Sequence, residues 1–162
     1  MKRLLLFLPI IFILSSCTLA HAKVKTTFKA NTVIEYNELK IGAEIIAESH
    51  NMLTINVSSP ESLKGYCYEY KDSMLSIKLN GLKLDAQESY IPSTGFASIL
   101  NNVLKTANRE DGINYSGKYN SFAVYKGKCD SGDFILTADY NTGCIYKIEI
   151  KKLNFTANFK AA

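Results

Sequence analysis

Histidine is the residue type that most chemistry near neutral pH requires, and this chain has two. His21 falls at the end of a leader-like segment, and His50 sits in the polar turn Ser49-His50-Asn51. A histidine-based triad would have to be built around His50, and no Gly-x-Ser-x-Gly elbow is present to carry a nucleophile. Paired carboxylates can cleave glycosides. The densest acidic group, Glu35, Glu38, Glu44 and Glu48, falls on the polar side and the turn of a hairpin instead. Cys129-Asp130-Ser131-Gly132-Asp133 offers oxygen atoms to a cation but lacks the length and ligand count of a calcium loop, so a turn is expected there. No glycine-rich phosphate loop occurs. These residues predict a protein that is not an enzyme and uses no cofactor and no metal.

Cysteine does carry chemistry here, at the start of the chain. Lys2 and Arg3 precede an apolar run from Leu4 to Leu14, broken only by Pro9, and small residues follow. This is the order of a secretory signal, and the run falls short of the roughly 20 residues that span a bilayer. Two cleavage sites compete. Leu14-Ser15-Ser16-Cys17 is similar to a lipobox, cleaved before Cys17, which then becomes a lipid anchor; Ala20-His21-Ala22 fits ordinary release before Lys23. The lipobox is favoured because Cys17 follows the apolar core directly. Acyl chains on Cys17 would hold the protein at a membrane. Residues 1–22 are thus read as the signal and 23–162 as the exported domain, on the outer face of the cytoplasmic membrane. Cys67, Cys129 and Cys144 remain; three is odd for a disulfide framework, and their spacing matches no metal motif. Cys129 with Cys144 is the one pair left open for a bridge.

The elements that must position any site fit one domain of about 140 residues, with no linker or repeat dividing it. Without Lys2 and Arg3, 17 basic side chains face 15 acidic ones, interspersed, so no nucleic-acid footprint is present. Most of the chain alternates apolar and polar residues, the period of strands with one buried face. Strands are expected at Thr26 to Tyr36, Leu39 to Ala47, Leu53 to Ser58, Tyr66 to Tyr70, Leu75 to Leu79 and Leu82 to Leu84, the last two joined by the hairpin signal Asn80-Gly81. Four more are expected at Asn120 to Lys126, Asp133 to Ala138, Cys144 to Ile150 and Leu153 to Phe159. Between the two groups the period changes. Phe96, Ile99, Leu100, Val103, Leu104 and Ala107 recur at helical spacing, with Ser93 or Thr94 to cap the start and Gly112 beyond the end.

About ten strands in sequence predict one antiparallel meander, and a single helix cannot cover both faces of so large a sheet. A strongly curved sheet with one central amphipathic helix on its concave face is therefore expected. Tyr66, Tyr68, Tyr70, Phe96, Leu100, Val103, Phe122, Phe134 and Phe155 are the side chains expected on that face. Either they pack as ordinary core, or they leave an apolar cavity of the kind that binds small molecules.

Four segments carry a family resemblance: Ser58 to Gly65 (SSPESLKG), Asn80 to Asp85 (NGLKLD), Gly95 to Leu104 (GFASILNNVL) and Asp139 to Ile148 (DYNTGCIYKI). With the predicted arrangement they resemble the LolA-like family of lipoprotein carriers and bacterial lipid-binding lipoproteins, from about Phe28 to Phe159. The resemblance implies an unclosed β-barrel whose concave apolar face accommodates acyl chains or another hydrophobic ligand. Such carriers are usually soluble, whereas an anchored Cys17 would tether this chain. The rival expectation is an envelope interaction or sensor module with a protein partner. An open apolar cavity above about 300 Å³ would favour the ligand, and a filled interior with an exposed apolar patch the partner.

Overall fold

The computed structural model describes residues 21–49 and 52–161; Cys17 and His50 lie outside them. The described residues form eleven strands, one α-helix and two single 3-10 turns. The first six strands are β1 (Phe28–Tyr36), β2 (Leu39–Ser49), β3 (Met52–Ser59), β4 (Cys67–Lys71), β5 (Met74–Leu79) and β6 (Leu82–Gln87). The 3-10 turn Glu88–Tyr90 and the helix α1 (Phe96–Ala107) follow. Then come β7 (Ile113–Tyr119), β8 (Phe122–Cys129), β9 (Gly132–Asp139), β10 (Ile145–Ile150) and β11 (Phe155–Ala161).

All strands lie in one antiparallel sheet of order β6-β5-β4-β3-β2-β1-β11-β10-β9-β8-β7. Its edges β6 and β7 do not pair, so the barrel is unclosed, and the one helix of the described residues lies on the concave face, as expected. The expected single meander is corrected in one respect. There are two meanders, β1–β6 and β7–β11, joined along a seam between β1 and β11 that runs from Ala30↔Ala161 to Tyr36↔Phe155. Alternation marks which face a strand buries, but nothing in it says that the first and last strands are neighbours.

The hairpins follow from residues that accept a positive φ. Asn80 (φ 48°) and Gly81 (φ 84°) make the two-residue turn between β5 and β6. Asn37-Glu38 and Asp72-Ser73 make the same kind of turn without glycine. β7 is a strand the periodicity does not announce: Tyr115-Ser116-Gly117 holds a bulge that breaks its register against β8 and its alternation.

The α1 stripe is as expected, with Ile99, Leu100 and Val103 fully buried. Its cap is not. Gly95 occupies the N-cap, and no side chain, Ser93 and Thr94 included, accepts from the first turn. Gly112 is fixed by close approach instead, since a Cβ there would lie 1.6 Å from the Thr106 carbonyl oxygen.

Candidate functional site

The concave face draws on both meanders. From the first come Ile34, Ile41, Ile45, Ile55, Tyr70 and Leu75; from the second Phe134, Leu136, Ile148 and Phe155; from the helix Ile99, Leu100 and Val103. All of these are at most 2% exposed. The space between helix and sheet is therefore filled. A crevice of about 10 Å³, beside Thr26, Leu53 and Leu104, is no larger than one water needs. Large depressions lie elsewhere and are open. One, of about 720 Å³, runs along Arg109, Lys126, Lys128, Asp133 and Glu149. Another, of about 860 Å³, follows the outer side of α1 past Glu88, Ser98, Asn102 and Lys105. The first includes Phe134 and Ile135 among its charged residues and exposes more apolar than polar surface; the second is mainly polar, unlike the apolar walls of a lipid pocket.

Polar contacts tie the helix to both halves of the sheet. The Tyr70 hydroxyl and Ser98 Oγ share a hydrogen bond of 3.1 Å. Burial raises the Tyr70 phenol to about 12, so it stays protonated and fit for that bond. Glu88 accepts from Asn101 Nδ2 and from Lys105 Nζ, which also pairs with it ionically. Asn102 Nδ2 donates to Ser131 Oγ at 3.0 Å, and Ser131 Oγ donates to the Ser93 carbonyl at 2.6 Å. Thr26 Oγ1 donates to Asn108 Oδ1 at 2.8 Å.

Of the nine side chains expected on the concave face, Tyr70, Leu100, Val103, Phe134 and Phe155 lie deep in this core. Tyr66, Tyr68 and Phe96 are only half-buried and meet at the start of the helix. Tyr66 stacks on Tyr68 (centroids 6.2 Å), and Tyr68 meets Phe96 edge to face (5.2 Å). Phe122 is corrected. Its neighbours Ala123 and Tyr125 take the buried positions of β8, and Phe122 faces the other way, stacked on the exposed Tyr146 at 4.6 Å. The Cys129–Cys144 pair is corrected too: both thiols are free. Cys129 adjoins the start of β9 and Cys144 its end. The eight-residue strand between them spans seven steps, about 23 Å, far beyond the reach of a disulfide.

One constellation escaped the sequence reading because it falls in the stretch read as signal. The His21 ring stacks on Tyr115 (4.2 Å, 13° between planes), with Tyr125 and Tyr140 tilted beside it. Ala22 donates its N–H to the Tyr140 carbonyl at 3.0 Å, and its own carbonyl accepts from the Tyr125 hydroxyl at 3.3 Å. Lys25 N–H then bonds the Gly143 carbonyl at 2.8 Å, and Val24 joins the core. Among the described residues no three His, Cys, Asp or Glu side chains cluster as metal ligands, and no helix is long and apolar enough to cross a membrane.

No family model matches the chain, and no curated protein matches it in sequence. Solved structures are similar to it at low identity. An uncharacterized conserved protein from Thermus thermophilus aligns over 84% of this chain and 80% of its own, with 10% identity and a TM-score of 0.49. A LolA superfamily protein from Nitrosomonas europaea aligns over 84% and 64%, with 12% identity and a TM-score of 0.42. LprF from Mycobacterium bovis aligns over 83% and 84%, with 10% identity and a TM-score of 0.39. No residue's role passes from these proteins to this one.

Proposed function

We propose that this is an exported, non-enzymatic binding protein held on the outer face of the cytoplasmic membrane by an acylated Cys17. The observation that carries the anchor is the docking of His21 and Ala22. Cleavage after Ala22 would strip both from the domain and leave the Tyr115, Tyr125 and Tyr140 rings without the histidine they surround. Cleavage before Cys17 keeps those contacts and leaves a short tether. The intact mass of the mature protein tests this directly. We expect a chain beginning at Cys17 with acyl chains attached, and loss of membrane association in Cys17→Ala. A mature chain that begins at Lys23 sinks the reading.

What the tethered domain binds divides two readings. An acyl chain or other hydrophobic ligand on the concave face is supported by the half-buried rim of Tyr66, Tyr68 and Phe96, where a chain would enter once the helix shifts. A protein partner in the envelope is favoured by the filled interior, together with Leu82 and Leu84, which are 76% and 64% exposed on edge strand β6. The packing weighs more, so the partner reading leads. Native mass spectrometry of protein extracted from its own membrane separates the two. Co-purified lipid that also raises the melting temperature would reverse the order.

A further inference from the structure

We propose that the end of the sheet carrying the β7–β8 and β9–β10 turns is the surface this protein lays on the lipid bilayer, with its tyrosines at headgroup level. The inference rests on the Cys17 anchor proposed above and adds an orientation to it. Cys17 precedes His21 by four positions, so covalent geometry keeps the anchor's Cα within about 14 Å of the His21 Cα whatever path the chain takes. His21 fixes where that tether starts, against Tyr115 of β7 and Tyr140 of the β9–β10 turn.

The surface around this point has the composition that suits an interface between water and hydrocarbon. Tyr119 stands opposite Phe122 in the β7–β8 register, and Phe122 stacks on Tyr146 of β10. Tyr119 is 71%, Tyr146 48% and Tyr115 44% exposed. Tyrosine joins an apolar ring to a polar tip, which is why it gathers where headgroups meet acyl chains. Positive charge lies alongside. Lys118 Nζ sits 4.1 Å from the Tyr140 ring centroid, and Lys23 and Lys25 are exposed on the docked segment, placed to meet anionic headgroups. The one carboxylate of the turn, Asp139, is engaged within it by Asn141 and Thr142. The exposed leucines lie away from this end: Leu82 follows the β5–β6 turn, at the opposite end of the strands, with Leu84 two residues on.

The sequence contains no tryptophan, so one introduced at a time reports its own depth. Tyr119→Trp, Tyr146→Trp and Leu84→Trp would each be made in the full lipidated chain, purified from membranes and placed in phosphatidylcholine–phosphatidylglycerol vesicles with or without brominated acyl chains. We expect blue-shifted emission quenched by bromine at positions 119 and 146, and neither effect at 84. Equal quenching at all three, or quenching only at 84, overturns the orientation. Mass spectrometry of the same samples keeps the two proposals apart: a chain without acyl groups on Cys17 overturns the anchor and the orientation together, whereas an acylated chain with unquenched 119 and 146 overturns the orientation alone.

Discussion

Thr32 sits at the seam of the sheet, 3% exposed between Ala43 of β2 and Phe159 of β11. Its hydroxyl has no hydrogen-bond partner among the described residues. A buried hydroxyl without a partner costs about 1–3 kcal/mol on mutational scales, and valine has the same shape without that cost. Thr32→Val should therefore raise unfolding stability by about 1 kcal/mol in urea titration; a loss would mean the hydroxyl is satisfied. Which residues share a face was legible in the sequence wherever large aliphatic side chains mark the buried phase, as in Ile41 and Ile45. It failed at Phe122, where β8 buries a small Ala123 and an amphipathic Tyr125 and turns its phenylalanine outward. Aromatic size misled there, because an exposed ring looks apolar in a pattern. His21 was illegible for another reason: a leader composition gives no sign that its last residues pack on the domain.

At the scale of an element, α1 joins the two halves of the concave face. Its stripe was legible because six apolar residues recur at helical spacing. The missing cap was not, since Ser93 and Thr94 look like caps until the backbone places Gly95 there. Strand β7 was hidden by its bulge at Gly117. Leu100 is fully buried beneath the helix, so Leu100→Ala should cost about 2–5 kcal/mol in chemical denaturation. Ala97 lies on the same packed side, 5% exposed. Enlarging it in a filled interior should overpack and cost about 1–3 kcal/mol. If Ala97→Leu instead leaves stability unchanged and weakens binding of a fluorescent fatty acid, the space beneath the helix opens in solution and the hydrophobic-ligand reading gains.

For the whole molecule, the antiparallel open sheet with one helix was legible in the count of alternating runs and the one change of period. The order of strands was not, because pairing between distant segments leaves no trace in either one alone. That order has a further consequence. Every ladder except the one between β1 and β11 joins strands consecutive in sequence, so each meander is local, and what holds the two together is the central seam, the helix and the segment 21–25 docked on the second meander. A chain severed between Asn108 and Arg109 would yield two pieces, one ending in the helix and the other beginning before β7. Each presents one unsatisfied central edge that fits the other in a register of seven residue pairs. Co-produced, the pieces should assemble and co-elute as a complex with the far-ultraviolet dichroism of the uncut protein. Ile34→Pro, which removes a donor from the middle of the seam strand, should abolish assembly. The two halves would then serve as a split reporter, regaining structure only when brought together.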